Sequence, residues 1–164
     1  MTQPFPSREE LKRRGYCLET LDRYDFWRSA HAEGQKLASR LPQVFGSPER
    51  PRITLHVARG YDDEWRLANL RTAELAALDP ERHWSDVTVE ATRTFQEYFT
   101  FSDSEGWRFY LPAFIYHYLA EFPLGGSDAV YWACVQKTHC SLLTEEQMAF
   151  INEFVNLCHT WQER

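Results

Sequence analysis

The sequence predicts a mainly α-helical protein that folds as one compact domain. Its 164 residues are enough to bury one hydrophobic core without disulfides or metals. Aromatic residues make up 15% of the chain and provide large side chains for that core. Several segments repeat apolar residues at spacings of three and four, which is typical of helices that pack through one face. Two short apolar segments also fit the period of a strand, so one small strand pair stays open.

The first two helices are predicted from a capping signature and a periodic stretch. Ser7 and Glu10 form a capping box, which places a short helix from there to Gly15. Apolar residues from about residue 22 onward recur on one helical face, and they predict a second helix that ends by Gly46.

The segment RITLHVA at residues 52–58 fits two structures. Ile53, Leu55 and Val57 alternate with other residues, a period of two that indicates a short strand. The same residues fit a helix whose N-cap is Thr54. The pattern alone does not separate these alternatives.

Residues 62–78 predict a helix that begins with three consecutive acids, which suit the positive end of a helix dipole. The sequence DPERHW closes that helix. Either Thr88 or Asp86 then caps the next one, whose apolar face includes Phe95.

The aromatic segment GWRFYLPAFIYHYL at residues 106–119 is apolar nearly all round. Such a helix belongs in the middle of a fold or at an interface. A capping box at residues 102–105 starts it, and Pro112 either kinks it or restarts it as a first helical residue. The part after the proline spans only ~16 Å, too short for a bilayer. We therefore expect a core element first and a docking surface second.

Aromatic residues in and around this segment are assigned to two roles. Trp84 is expected to anchor its loop to the core through its ring and N–H. The core residues are Trp84, Phe109, Leu111, Pro112 and Phe114. Aromatic rings with a polar end make good interface anchors. The candidates for contact with a partner are Trp65, Tyr110, Tyr116 and His117.

The C-terminal part contains one ambiguous segment and one clear helix. Residues 129–137 form a short apolar run that fits a strand or a helix. Thr144 and Gln147 make a third capping box, and the residues after it follow a helical repeat.

Composition excludes several classes of partner. A formal charge of −6 argues against sequence-independent phosphate contact, so we expect no nucleic acid. The chain shows neither a secretory signal nor a long apolar stretch, so we expect a cytoplasmic protein with no membrane partner. Its four cysteines are then thiols. A zinc site is conceivable, but no pair has the usual ligand spacing; its members would be Cys134, His139 or Cys140, Cys158 and His159.

One polar cluster has residues suited to chemistry. His56 with Asp62 or Asp63 would make a general acid/base pair or a site for a hard metal ion. The competing interpretation is that the acids stabilise the first turn of a helix and that His56 bonds inside the fold. Motifs for a nucleophile, a phosphate loop or a zinc protease are missing. We therefore assign no catalytic residue, no metal and no cofactor, and keep these three residues as the metal-ligand candidates.

Three segments together resemble a known family: ITLHVARGYDDEW at 53–65, HWSDV at 83–87 and GWRFYLPAFIYHYL at 106–119, followed by LTEEQMAFINEF at 143–154. They are similar to an uncharacterised bacterial family, a domain of unknown function with ITLHxA, WxD[IV] and FRFYLPA[FY] segments. The resemblance implies a single-domain, mostly helical protein and transfers no catalytic role. It divides the chain into an N-terminal helical extension, residues 1–30, and a helical domain, residues 31–164.

Two functions from different classes fit these observations. The first is a protein-binding module, and within that class an immunity protein or antitoxin that binds a bacterial toxin. The alternative is a small metal-dependent hydrolase that uses His56 with Asp62 or Asp63. The hydrolase requires these side chains to converge in a pocket, whereas the binding module requires no such convergence.

Overall fold

A computed structural model describes residues 5–64 and 66–161 of the chain. Within these residues all regular structure is helical, which confirms the mainly α-helical fold and leaves no strand pair in the described chain. None of the described helices has both the length and the apolar composition that crossing a bilayer would require. In chain order the helices are α1 (Arg8–Arg13), α2 (Leu18–Ala38), α3 (Leu41–Phe45), α4 (Leu55–Asp63), α5 (Asn69–Ala76), α6 (Val89–Thr94), α7 (Tyr98–Phe101), α8 (Ser104–Glu121), α9 (Ala129–Gln136) and α10 (Glu145–Trp161), with a 3₁₀ turn at Trp84–Asp86.

Helix α8 is the centre of the fold. Its aromatic segment is buried on nearly every side, and α2, α3, α6, α9 and the Trp84–Asp86 turn pack around it. Trp107 is 1% exposed, while Phe109 and Tyr110 are fully buried. An apolar helix with no polar face must be surrounded in this way.

Pro112 lies inside α8, and the helix continues past it to Glu121. The alternative in which the helix restarts at the proline was therefore wrong. Proline cannot donate a backbone hydrogen bond to the carbonyl of Arg108, which costs an isolated helix ~3 kcal/mol. Residues on both sides of Pro112 are buried, so their packing outweighs this cost.

The start of α8 differs from the prediction by one residue. Asp103 is the N-cap, and its Oδ1 accepts a hydrogen bond from the Gly106 N–H over 2.9 Å. Ser102, the expected N-cap, is buried instead. The other two capping boxes begin where they were predicted, at Ser7 and Thr144.

Residues 52–58 do not form a strand. Thr54 is the N-cap of α4, as the helical alternative predicted. Residues 129–137 likewise contain a helix, α9. In both segments buried apolar residues recur at the helical spacing.

The three acids at residues 62–64 lie at the C-terminal end of a helix, whereas they were predicted to begin one. Asp62 and Asp63 are in the last turn of α4, Glu64 follows as its C-cap, and α5 begins only at Asn69. A helix begun at Thr54 continues through these acids, because nothing in the sequence ends it sooner. Their negative charge is therefore not stabilised by the helix dipole there.

The predicted helix from residue 22 to Gly46 is divided into α2 and α3. Pro42 has no N–H to offer the carbonyl of Ala38, which is the last residue of α2. Helix α2 also crosses residue 30 without a break. Ala30 is fully buried. Gly34 packs so closely against Phe122 that a Cβ atom at position 34 would lie 3.2 Å from the phenylalanine ring. The described part of the N-terminal extension thus shares one helix with the rest of the chain.

Gly106 makes close packing possible at the start of α8. A Cβ atom there would lie 2.0 Å from the Ser102 hydroxyl and 2.3 Å from the Tyr98 hydroxyl. Tyr98 is fully buried, and its hydroxyl donates to the Ile53 carbonyl over 2.7 Å. The rigid phenol cannot move without losing that hydrogen bond, so this position requires glycine.

We predict that Gly106→Ala lowers the free energy of unfolding by about 1 kcal/mol or more, measured by urea denaturation. Alanine gains about 1 kcal/mol in helix propensity, but overpacking a core typically costs about 1 to 3 kcal/mol, and contacts of 2.0 and 2.3 Å place this site at the upper end of that range. Gly126→Ala is the matched control, because no atom lies within 4 Å of its added Cβ. A Gly106→Ala protein as stable as the natural one would contradict the packing described here.

Candidate functional site

The segment between α5 and α6 is held by side chains from two other parts of the fold. From α4, the Nδ1–H of His56 donates to Asp79 over 2.6 Å. From α8, the hydroxyl of Tyr110 donates to Glu81 over 2.6 Å. Both carboxylates are 5% exposed. Through these bonds the segment DPERHW links two of the signature segments, ITLHVA and the aromatic segment. The sequence had predicted only that DPERHW ends a helix.

Asp79 also caps α4. Its Oδ2 accepts the backbone N–H of His56 over 2.8 Å, whereas the side chain of Thr54, the N-cap residue, makes no capping bond. A carboxylate at the N-terminus of a helix is favoured by the helix dipole and by the unpaired N–H groups there. Asp79, which is 25 positions after Thr54, thus provides the capping hydrogen bond that the side chain of the N-cap residue does not make. Sequence reasoning missed both Asp79 and Glu81.

The proposed hydrolase cluster is not assembled. Asp62 and Asp63 are exposed in the last turn of α4, about 9 Å along the helix axis from His56. His56 bonds to Asp79 instead. Among the described residues, no group of three His, Cys, Asp or Glu side chains is placed to hold a metal ion. The hypothesis that these three residues converge in a pocket was therefore wrong.

The His56–Asp79 pair resembles the base and its orienting carboxylate in hydrolases only in part. An Nδ1–H bonded to a carboxylate leaves Nε2 as a proton acceptor, which general bases need. However, the second oxygen of Asp79 bonds to the backbone of α4. Helix capping and ring orientation account for both oxygens of the carboxylate.

The cysteines of the conceivable zinc site are not gathered around a metal position. Cys134 and Cys158 are buried free thiols, and burial raises the pKa of Cys158 to about 11. The nearby His159 is hydrogen bonded to the hydroxyl of Tyr131 at 2.7 Å. Protonated, buried thiols are poor metal ligands and poor nucleophiles.

A groove lies between α2 and α8, next to the Trp84–Asp86 turn. Its volume is about 380 Å³, which is within the range of ligand-binding pockets. Four of the lining residues are buried, and we call them the floor: Ala38 and, from the signature segments, Trp84, Val87 and Ala113. The other lining residues, which we call the rim, are Gln35, Ser39, Pro42, Ser85, Tyr116 and His117.

Most polar groups of the groove are bonded within the protein. The Gln35 amide donates to the Leu119 carbonyl over 3.1 Å, and the His117 Nε2–H donates to the Val87 carbonyl over 2.8 Å. The indole N–H of Trp84 donates to the Gly46 carbonyl over 2.8 Å. Among the described residues, no partner is found for the hydroxyl of Tyr116, for Nδ1 of His117 or for the amide oxygen of Gln35.

The groove brings together two of the four interface candidates. Tyr116 is 48% exposed, and His117 is half-buried beside it. Tyr110 was wrongly chosen: it is fully buried, and burial raises the pKa of its phenol, which stays protonated and donates to Glu81. Tyr116 is six positions after Tyr110 in α8, so the two side chains project from different faces of the helix. Trp65 lies outside the described residues.

The five residues assigned to the core are all buried in α8 and the adjoining turn: Trp84, Phe109, Leu111, Pro112 and Phe114. One of them, Trp84, also lines the groove. The contributions of Gln35, in α2, and of Ser39, its C-cap, were not predicted. The only sequence signal for Gln35 and Ser39 is that each is a polar residue next to the apolar face of a periodic helix.

We predict that Asp79→Ala lowers the free energy of unfolding by about 2 to 3 kcal/mol, because it leaves both the partly buried backbone N–H and the imidazole N–H of His56 without their acceptor. Asp79→Asn keeps one acceptor oxygen, so its loss should be smaller. Urea denaturation monitored by circular dichroism measures both. Asp62→Asn, on the exposed end of the same helix, is the control and should change stability by less than about 0.5 kcal/mol. Equal effects of Asp79→Ala and the control would exclude the capping role.

Comparison with known proteins gives a family and no function. No protein of curated function and no solved structure matches the chain significantly. A family model described as a family of unknown function matches residues 33–164, from within α2 onward. Since this match covers most of the sequence and all of the groove, the protein belongs to the family of unknown function DUF6714.

Proposed function

We propose that the protein is a protein-binding module and that the groove between α2 and α8 receives an apolar side chain of its partner. The observation that supports this most directly is the chemistry of the lining. No Asp, Glu, Lys or Arg is among the ten residues that line the groove, although 26% of the chain is charged. Depletion of charge with retention of aromatic residues is typical of the centre of a protein interface.

The available polar groups favour a protein over a small polar ligand. Small-molecule sites fix their ligand through several polar groups that converge on it. Among the described residues, the unpaired groups of this groove are few: the hydroxyl of Tyr116, Nδ1 of His117 and the amide oxygen of Gln35. An exposed tyrosine next to a buried tryptophan is instead the composition of an interface hot spot.

The charge of the chain selects the kind of partner. With a formal charge of −6, the chain as a whole attracts a basic protein. We therefore propose a partner with an aliphatic or aromatic anchor side chain flanked by lysines or arginines. A bacterial toxin with a basic substrate groove, such as a nuclease, has this chemistry, so the proposal includes an immunity or antitoxin role in the cytoplasm.

We predict that Tyr116→Ala weakens binding of the partner by about tenfold or more, the usual effect of truncating a central interface tyrosine. The tagged protein is expressed in its natural host, the bound proteins are identified by mass spectrometry, and the main one is purified for titration. Tyr61→Ala is the matched control, because Tyr61 is 42% exposed on a different helix. It should leave both affinity and stability unchanged.

The outcomes separate the levels of the proposal. If Tyr116→Ala loses the partner and Tyr61→Ala keeps it, the groove is supported as the site of contact. A partner that is toxic when expressed alone supports the immunity role. Equal binding by both variants excludes the groove as the contact. If no protein binds in the titration, the protein-binding function is wrong.

A further inference from the structure

The groove between α2 and α8 contains a half-buried hydrogen-bond acceptor that has no partner among the described residues. The Nε2 atom of His117 carries the ring hydrogen, because its partner at 2.8 Å is the Val87 carbonyl, which can only accept. In the neutral imidazole the other nitrogen, Nδ1, is then an acceptor. His117 and Val87 both line the groove, so the bond between them fixes the ring at the groove wall.

The other unpaired groups of the groove are more accessible to water. The amide nitrogen of Gln35 donates to the Leu119 carbonyl, which leaves the amide oxygen as a second acceptor. The hydroxyl of Tyr116 can donate or accept. Gln35 and Tyr116 are exposed residues, so water can bond to these groups while an occupant is bound. Nδ1 of His117 is the acceptor that an occupant would separate from water.

The lining restricts which side chain can donate to that nitrogen. Lysine and arginine donate, but no Asp or Glu is among the described lining residues to compensate a charge inside the groove. Serine and threonine are too small to fill about 380 Å³.

The remaining donors differ in what else they bring into the groove. Tyrosine, asparagine and glutamine each carry an acceptor of their own, which in turn needs a donor. Among the unpaired groups of the groove only the Tyr116 hydroxyl can supply one. Tryptophan is the large uncharged side chain whose polar atom only donates. Its indole N–H therefore matches the groove best.

We propose that the anchor of the partner is a tryptophan whose indole N–H donates to Nδ1 of His117. This inference rests on the proposed function and names the side chain that the groove selects. The exposed ring of Tyr116 lies 5.2 Å from the imidazole of His117, at 80° to it, and provides an aromatic contact for the indole. His117 then determines specificity, because phenylalanine or leucine would cover Nδ1 without offering a donor.

Three blocked peptides that differ in one side chain test this inference. In each, two lysines flank a central residue, which is tryptophan, N1-methyltryptophan or phenylalanine, so the charge is constant. The methyl group removes the indole hydrogen and keeps the ring. Binding to the full ¹⁵N-labelled chain is followed by NMR at about pH 8, where histidine side chains are ordinarily neutral. Each peptide is titrated to about 10 mM, because ordering a short flexible peptide weakens its binding.

The tryptophan peptide should shift the backbone signals of Ser85, Tyr116 and His117, which lie at the groove. The other two peptides should bind about fivefold more weakly or worse, because they leave Nδ1 without a donor. If a variant fails to fold, this comparison on the natural protein still tests the inference.

Two variants assign the acceptor. His117→Phe keeps an aromatic ring and removes Nδ1, so the tryptophan and N1-methyltryptophan peptides should bind it equally. Gln35→Met is the matched control, because it also loses a hydrogen bond to a backbone carbonyl but leaves Nδ1 in place. The difference between the two peptides should persist in Gln35→Met. Circular dichroism establishes that both variants are folded.

Three results would overturn the inference: equal binding of tryptophan and N1-methyltryptophan to the natural protein, a difference that His117→Phe retains, or no shift at the groove with any peptide. In each case a captured partner that Tyr116→Ala weakens would still support the proposed function. Conversely, if no partner protein is found, the proposed function fails while selective binding of the tryptophan peptide still establishes what the groove recognises.

Discussion

The carboxylate of Asp79 determines where several other parts of the structure lie. One oxygen binds the imidazole of His56, and the other binds the backbone at the start of α4. The connection that follows is thereby fixed against α4, which positions Glu81 to accept from Tyr110. The same connection continues into the Trp84–Asp86 turn, in which Trp84 forms part of the floor of the groove. A single buried acid thus links the first turn of one helix, the central helix and the floor of the proposed binding groove.

The sequence predicted those helices whose ends are determined locally. The caps at Ser7, Thr88 and Thr144 are each followed by the expected helix, because a hydroxyl three positions before a backbone N–H needs no distant partner. The segment from Thr54 to Glu64 was predicted only in part: the helix begun at Thr54 was one of two alternatives, and the acids were assigned to the wrong helix end. Its first turn is completed by Asp79, and no local pattern shows an acceptor that far along the chain. Asp62, Asp63 and Glu64 were therefore predicted to begin a helix, whereas they lie at the C-terminal end of α4.

The candidate site was predictable only in part, for a related reason. A helix that is apolar all round has no polar face from which its orientation can be inferred, so Tyr110 and Tyr116 appeared equivalent in the sequence. A buried acceptor, Glu81, distinguishes them by holding the first ring inside the fold. The groove itself depends on how α2 crosses α8, and this crossing follows from close packing at Gly34 and Phe122 rather than from any motif.

The floor of the groove consists of residues that also build the core. Any change at Trp84, Val87 or Ala113 therefore alters folding before it alters recognition. Rim residues such as Gln35, Ser39 and Ser85 are exposed and contribute little to packing. On the proposed function, proteins with this fold would differ in partner choice through the rim, while packing constrains the floor. A shared signature would then mark a common scaffold, and different members could recognise different targets on it.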